Sequence, residues 1–261
     1  MATGNLNRQE SALEYEEDLD GATMSLVDHL EELRWRIFKS LIAIAVMSII
    51  AFIFRTEIIK FLAAPLPKMA EQLTHGQLVV TGIMEGFTVM LLVSIAVGVV
   101  LALPVILYQA WAFISPGLYQ HEKKYAVPFI FIGLILFAMG VSLGYFVLRY
   151  PIEFLVTFAA SSFVELVTAN SYFTFVAFFI LAFGLVFEIP LVLTFLAKVG
   201  LVSGETLKRK RATMHIGMWI AATVLTPGAD IYSPIFLGVA MSFLYELSII
   251  FIKYFVKPET S

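Results

Sequence analysis

The sequence predicts an all-α membrane protein with six transmembrane helices and both termini in the cytoplasm. Its composition, the recurrence of uncharged apolar stretches and the distribution of Lys and Arg lead to this prediction. Of the 261 residues, 60% are hydrophobic and 14% are charged, whereas soluble domains average about 45–50% apolar and about 25% charged residues. This composition excludes a soluble globular enzyme, a disordered chain and a strongly basic nucleic-acid-binding protein.

The residues that usually carry catalysis or bind metals are absent or scattered. The chain has no cysteine, which excludes disulfides, thiolate nucleophiles and Cys-ligated metals. The four histidines lie far apart, and neither an HExxH motif nor a Gly-rich phosphate loop occurs. We therefore expect a protein that is not an enzyme and that binds neither a metal nor a cofactor.

Two short tails flank the predicted membrane domain. Residues 1–24 carry six acidic residues against one basic residue, Arg8, and have few apolar side chains to bury. We interpret them as a disordered acidic cytoplasmic tail, residues 25–252 as the transmembrane domain, and residues 253–261 as a short cytoplasmic tail. We expect no cleaved signal peptide, because no basic region leads into an early apolar stretch.

Six apolar stretches have lengths that suit a hydrocarbon core about 30 Å thick, which about 20 helical residues cross. The fifth is the shortest, and with the sixth it forms a hairpin that needs local thinning of the bilayer. The predicted spans are Ile37–Phe54, Phe87–Tyr108, Ala126–Leu148, Tyr172–Leu196, Ala212–Thr226 and Ile231–Ile252.

The basic residues predict the orientation of these spans. With six spans, thirteen Lys and Arg residues fall on the side of the termini and four fall on the other side. Because cytoplasmic loops carry the excess of Lys and Arg, both termini are expected in the cytoplasm. On the outer side, Glu57–Leu73 mixes apolar and charged residues around Pro65 and Pro67, which is typical of an interfacial amphipathic segment.

A first polar cluster precedes the first span. Leu26, Leu30, Leu33 and Ile37 recur at helical spacing after Ser25, a helix-capping residue type, and this pattern predicts an amphipathic helix on the cytoplasmic surface. Its polar face carries His29, Glu32 and Arg36. Glu32 and Arg36 are spaced to form a simple i,i+4 ion pair, which is one interpretation of the cluster.

A second polar cluster follows the second span. Glu122 is its only acid and lies beside Lys123 and Lys124, after the aromatic residues Tyr108, Trp111 and Phe113. These residues fit an ordinary positive-inside loop with an interface belt of aromatics. Alternatively, Glu32 and Glu122 form a binding surface, since a carboxylate holds a guanidinium through bidentate, charge-assisted hydrogen bonds.

Two carboxylates lie within predicted spans, where ionising them is expensive and a functional role is the default hypothesis. Glu188 lies in the inner part of the fourth span beside Pro190. It is either a polar site on one face of the bundle or a protonated residue hydrogen-bonded inside it. Glu246, nearer the cytoplasmic end, either extends to the membrane surface or pairs with Lys253.

Four blocks of sequence together resemble the TatC family, the multi-spanning core subunit of the twin-arginine protein translocase. The resemblance covers about residues 25–252. The blocks are His29–Arg34 (HLEELR), Pro104–Glu122 (PVILYQAWAFISPGLYQHE), Phe183–Pro190 (FGLVFEIP) and Leu225–Asp230 (LTPGAD).

The resemblance implies a concave, cup-like bundle in the inner (cytoplasmic) membrane and a receptor for Arg-Arg signal peptides of folded proteins. It also implies assembly with single-span TatA/TatB-type partners in a self-associating complex, and export driven by the protonmotive force. Carried over by motif, Glu32 and Glu122 are the acids of the signal-peptide site, and Arg34, Phe113 and His121 lie in the same surface. Glu188 then corresponds to a polar membrane site, and Asp230 to an outer-loop acid near partner contacts.

One position departs from the family pattern. Many relatives have Gln where this chain has Pro234, and the family associates that position with contacts to partner helices. Two other functions compete with the translocase: a proton-linked transporter that uses Glu188 and Glu246, and a scaffold that only assembles other helices. The order and spacing of the four blocks favour the translocase.

Overall fold

The computed structural model describes residues 26–66, 78–114, 126–160, 166–228 and 230–255, and almost all of them are helical. Within these ranges lie ten helices. In chain order they are α1 Leu26–Ile53, α2 Arg55–Ala63, α3 Glu85–Ile114, α4 Ala126–Val147, α5 Arg149–Ala160, α6 Ala169–Val186, α7 Ile189–Lys198, α8 Gly204–Arg209, α9 Arg211–Leu225 and α10 Tyr232–Phe255. The prediction of an all-α chain is confirmed.

Five stretches of the described chain are helical, long and apolar enough to cross a membrane: Val27–Ile53, Glu85–Ile114, Val127–Phe158, Ala169–Lys198 and Tyr232–Tyr254. They contain five of the six predicted spans almost entirely. The remaining predicted span coincides with α9, which has 15 residues. At 1.5 Å per residue α9 is about 22 Å long, shorter than a hydrocarbon core of about 30 Å.

The helices pack in an order that leaves α1 at the edge of the bundle and α6 at its centre. The most extensive helix pair is α1 with α3, and α3 in turn packs on α6. On the other sides, α4 packs on α6, and α10 packs on both α7 and α9. The stretch formed by α6 and α7 is consequently the most buried of the five, and α1 is the least buried.

The fourth span is not one continuous helix. It breaks at Phe187 and Glu188, between α6 and α7, and Pro190 lies in the first turn of α7. Pro lacks an N–H group and its ring clashes with the preceding turn, so a helix ends before it or bends there. The break therefore places the Glu188 side chain at a junction between two helices.

Two side-chain hydrogen bonds tie α2 to one end of the bundle. The Tyr145 hydroxyl donates to the carbonyl of Phe61 at 2.9 Å, and the Tyr172 hydroxyl donates to the carbonyl of Leu62 at 2.9 Å. These bonds use carbonyls in the last turn of α2, and the Phe61 carbonyl also accepts from the Ala64 N–H at 3.3 Å. They fix the first part of the predicted outer segment Glu57–Leu73, of which residues 67–73 lie outside the described residues.

The last two spans form the predicted hairpin, and Glu246 joins its two helices. The Glu246 carboxylate lies 2.8 Å from Arg211 Nη2 and 3.0 Å from His215 Nε2, both on α9. The suggested pairing of Glu246 with Lys253 is therefore wrong. Lys253 lies one turn or more further along the same helix, whereas Arg211 reaches Glu246 across the packed pair.

A close crossing of α4 and α6 depends on small residues on both helices. A Cβ atom at Gly140 would lie 2.6 Å from the Phe183 carbonyl oxygen, and a Cβ atom at Gly184 would lie 2.7 Å from the Phe137 ring. Helices without side chains at the crossing point approach closely and gain van der Waals contact. This crossing anchors the central helix α6.

We predict that Gly140→Ala lowers the thermal stability of the detergent-purified protein. The added methyl group meets backbone rather than a flexible side chain, so the helices must separate, at a cost of about 1–3 kcal/mol. Gly217→Ala is the matched control, because a Cβ atom at Gly217, also within a helix, meets nothing within 4 Å. Equal melting temperatures for the two variants would contradict the close crossing.

Candidate functional site

The first predicted site residue, Glu32, lies on the side of α1 that faces α3. His29, Glu32 and Arg36 are all half-buried, whereas Leu30 and Ile37 are 65% and 51% exposed. The predicted helix is confirmed from Leu26 and continues without a break into the first span. Its exposed sides carry apolar Leu30 and Ile37 as well as charged Glu31 and Arg34, and the predicted polar face lies against α3. The physical reason is the solvent, because apolar side chains that would be buried in a soluble protein face lipid here.

The Glu32 carboxylate is held by an arginine from the next turn of α1. Arg36 Nε donates to Glu32 Oε1 at 2.9 Å, and Arg36 Nη2 makes a second, very short bond to the same oxygen. The predicted i,i+4 ion pair is thus confirmed. Arg36 Nη1 also lies 3.4 Å from Gln109 Oε1 of α3, so the pair bridges two helices.

The second carboxylate oxygen of Glu32 is in a different situation. Oε2 is buried and has no hydrogen-bond partner among the described residues, and its distance to His29 Nδ1 is 4.0 Å. Buried polar atoms in proteins are nearly always hydrogen-bonded, and an exception calls for an explanation.

An aromatic contact joins the same face of α1 to the end of α3. The rings of His29 and Phe113 stack with their centroids 4.3 Å apart and an interplanar angle of 19°. The structure thus brings two predicted residues, Glu32 and Phe113, into one cluster with His29, Arg36 and Gln109. We call these five residues the Glu32 cluster.

Other predicted residues of this surface lie elsewhere or outside the described chain. Arg34 is exposed, on a different side of α1 from Glu32. Trp111 is not part of an exposed aromatic belt, since it is 5% exposed and packs on Phe129 with a centroid distance of 4.8 Å. His121 and Glu122 lie outside the described residues, in the connection between α3 and α4.

Sequence reasoning missed Gln109, although it lies in the family-like block Pro104–Glu122. It comes four residues before Phe113 in α3, so the two share one face of the helix. That spacing is the signal that would have placed Gln109 beside the predicted site. Its contact with Arg36 was not readable, because it depends on how α1 packs against α3.

Glu188, the predicted membrane site, is enclosed rather than open to a face of the bundle. Its side chain belongs to a residue that is 7% exposed, and neither carboxylate oxygen has a hydrogen-bond partner among the described residues. A Cβ atom at Gly133 of α4 would lie 3.3 Å from Glu188 Oε2 and within 3.0 Å of Leu107 and Leu191. An acid in this apolar junction fits neither a surface polar site nor a hydrogen-bonded core residue.

Asp230, the predicted outer-loop acid, holds the start of α10. Its two oxygens accept from the backbone N–H and the hydroxyl of Ser233, both at 2.6 Å, and Asp230 is 5% exposed. This is a helix-capping arrangement, which satisfies N–H groups that lack a partner within the helix. Pro234 follows in the first turn, where its missing N–H costs nothing.

The described residues contain no group of three or more His, Cys, Asp or Glu side chains that could hold a metal ion. The described residues do include several carboxylates, and their surroundings differ. Of these, Glu32 binds the guanidinium of Arg36, and Glu246 binds that of Arg211.

Comparison with known proteins identifies the family. The family model for the Sec-independent protein translocase protein (TatC) matches residues 28–239. The TatC protein of Desulforapulum autotrophicum is 38% identical over 235 residues, covering 90% of this chain and 86% of that protein. The TatC protein of Escherichia coli K12 is 34% identical, covering 90% of each chain.

A solved structure supports the same assignment. The crystal structure of the twin-arginine translocase receptor TatC superposes with a TM-score of 0.73 at 33% identity, covering 86% of this chain and 98% of the other. The helices described above, with their five long apolar stretches and the short α9, are consistent with a six-helix bundle of that kind. The chain therefore belongs to the TatC family and is a multi-pass core membrane component of the twin-arginine protein translocase, not an enzyme.

Proposed function

We propose that the chain is the signal-peptide receptor of the translocase, and that Glu32 and Glu122 each bind one guanidinium of an Arg-Arg signal. The observation that carries this proposal is the Glu32 carboxylate, which lies half-buried between α1 and α3 and already accepts two hydrogen bonds from a guanidinium. Its surroundings therefore suit that group in size and charge. Such bonds are directional and favour the planar arginine fork over the lysine ammonium.

Neighbouring residues complete the proposed site. Phe113, stacked on His29, provides an aromatic surface beside Glu32 on which an arginine side chain can lie. In this proposal Arg34 and His121 belong to the same receptor surface. The apolar segment of the signal would enter the membrane beside the bundle and supply most of the affinity, at about 25 cal/mol per Å² buried.

The proposal extends to location and partners. The chain lies in the cytoplasmic membrane with both termini in the cytoplasm, which agrees with the excess of Lys and Arg on that side. It assembles with lipids, further copies of itself and single-span TatA/TatB-type partners, and export is driven by the protonmotive force. Glu188, a carboxyl buried within the membrane domain, and Asp230, at the outer end of the last hairpin, are the proposed residues for steps after signal binding.

The orientation can be tested because the chain contains no cysteine. Single replacements Ser11→Cys and Ser261→Cys should resist a membrane-impermeant thiol reagent in intact spheroplasts and react after lysis. Thr74→Cys, in the predicted outer connection, should react without lysis. Labelling of either terminal cysteine from outside would refute the proposed orientation.

The signal site can be tested with fluorescent peptides that carry Arg-Arg or Lys-Lys and detergent-purified protein. Glu32→Gln and Glu122→Gln should each weaken binding of the Arg-Arg peptide about tenfold or more, because each loses a charge-assisted bond that contributes about 1.5–3 kcal/mol. Binding of the Lys-Lys peptide should change less.

Glu153→Gln is the matched control for that experiment. It removes the same charge from an exposed ion pair with Arg149, on α5, outside the proposed site. If both peptides bind equally well and neither Glu32→Gln nor Glu122→Gln has any effect, the apolar segment alone drives association and the proposed site is wrong.

Glu188 should act after signal binding. Its oxygens have no described hydrogen-bond partner, so Glu188→Leu loses no hydrogen bond and should fold. We expect the variant to bind the Arg-Arg peptide within about twofold of wild type, since Glu188 makes no hydrogen bond to the residues around Glu32, yet to export Arg-Arg cargo poorly. Export at the wild-type rate, measured at native expression level, would exclude Glu188 from the mechanism.

A further inference from the structure

In the free chain, Glu32 does not present an available acceptor. One oxygen, Oε1, takes both bonds of the Arg36 fork, and the other, Oε2, is buried. Only 17% of the Glu32 side chain is exposed. A guanidinium that arrives from the cytoplasm therefore meets a carboxylate whose charge is already neutralised and whose open position is filled.

The group that fills the position has the same chemistry as the proposed ligand. Arg36 and a signal arginine present the same planar fork, and two such forks cannot both take the same oxygen in the same directions. Because Arg36 is attached one helical turn away, it needs no binding event to reach Glu32. It is held there by geometry that any i,i+4 pair on a helix provides.

A second acceptor lies within reach of Arg36. Gln109 Oε1 on α3 is 3.4 Å from Arg36 Nη1. A small rotation of the Arg36 side chain away from Glu32 would shorten this contact and keep the guanidinium hydrogen-bonded. Arg36 can therefore keep a hydrogen bond, to Gln109, when another guanidinium binds Glu32.

We propose that Arg36 is a built-in competitor of the signal peptide, which occupies Glu32 in the free receptor and moves towards Gln109 when a signal arginine binds. The proposal rests on the proposed role of Glu32 in signal recognition. Its consequence is a threshold: basic segments that make few other contacts do not displace Arg36, whereas a full signal with its apolar segment does.

The size of the effect follows from how often Glu32 is free. If Arg36 occupies the carboxylate about nine-tenths of the time, apparent affinity is about tenfold lower than the intrinsic affinity. The reduction applies to every ligand of Glu32, because the cost of moving Arg36 does not depend on what replaces it. Removal of Arg36 should thus tighten binding most for the peptide whose basic residue depends most on Glu32.

The test measures dissociation constants of the Arg-Arg and Lys-Lys peptides for the purified full chain. Arg36→Met keeps an unbranched apolar side chain and removes the guanidinium donors. It should tighten binding of the Arg-Arg peptide by about threefold to tenfold and binding of the Lys-Lys peptide by less. Lys39→Gln removes one positive charge from an exposed position on the same helix. It should change binding by less than about twofold, because exposed charges are screened.

Two further variants separate competition from other effects. The double variant Glu32→Gln/Arg36→Met should bind the peptides no more tightly than Glu32→Gln alone. Arg36→Lys keeps the charge but not the fork and should show a smaller gain than Arg36→Met. If Arg36→Met lowers the melting temperature, Arg36→Lys decides in its place, and absence of any gain overturns the proposal.

The outcomes distinguish this proposal from the function on which it rests. If Arg36→Met weakens binding or leaves it unchanged while Glu32→Gln weakens it, Glu32 is a signal residue and Arg36 only positions it, so the competitor is refuted. If Glu32→Gln has no effect on either peptide, the proposed site itself fails. A gain of equal size in Lys39→Gln and Arg36→Met would show that net charge alone is responsible and would also overturn the proposal.

Discussion

The rest of the structure depends on one constraint: in a bilayer, apolar side chains belong on the outside of the bundle and polar groups must find partners within it. Helix α1 shows the consequence most clearly. Leu30 and Ile37 face outward, and the polar residues Glu32 and Arg36 face α3. In a soluble helix with the same pattern, the leucines would be buried and the acid would face water.

The constraint also explains why much of the fold was predictable from sequence. A span must be long, apolar and nearly uncharged, so the six uncharged stretches identify the five long helical stretches and α9. The helix boundaries were less predictable: Ser25 indicated the start of α1 at Leu26, but α3 extends to Ile114, beyond the apolar stretch that identifies it. Polar residues can continue a helix as long as a neighbouring helix covers them, and that information lies in the packing.

The site was partly predictable for a similar reason. Glu32 and Phe113 could be identified from family-like motifs, and the i,i+4 spacing of Glu32 and Arg36 suggested their ion pair. The stack of His29 on Phe113 and the approach of Gln109 to Arg36 depend on the register between α1 and α3. That register involves residues far apart in the chain, and spacing within one helix carries no information about it.

The acids of the bundle differ in how completely their oxygens are satisfied, and this difference separates structural from functional roles. Asp230 has both oxygens bonded to Ser233, and Glu246 has one oxygen on Arg211 and the other on His215. Asp230 thereby caps the start of α10, and Glu246 joins α9 to α10. A ligand that bound either acid would share an oxygen that already stabilises the hairpin.

Glu32 and Glu188 are different, because each keeps buried oxygens with no partner among the described residues. Leaving a buried acceptor unsatisfied costs about 1–3 kcal/mol, so a fold that needed these acids only for stability would gain by replacing them. Glu32 retains one unsatisfied oxygen next to a guanidinium that shows which group it accepts. Glu188 retains two at the apolar junction between α6 and α7, and because their surroundings differ in this way, the two acids are suited to successive steps and not to one shared site.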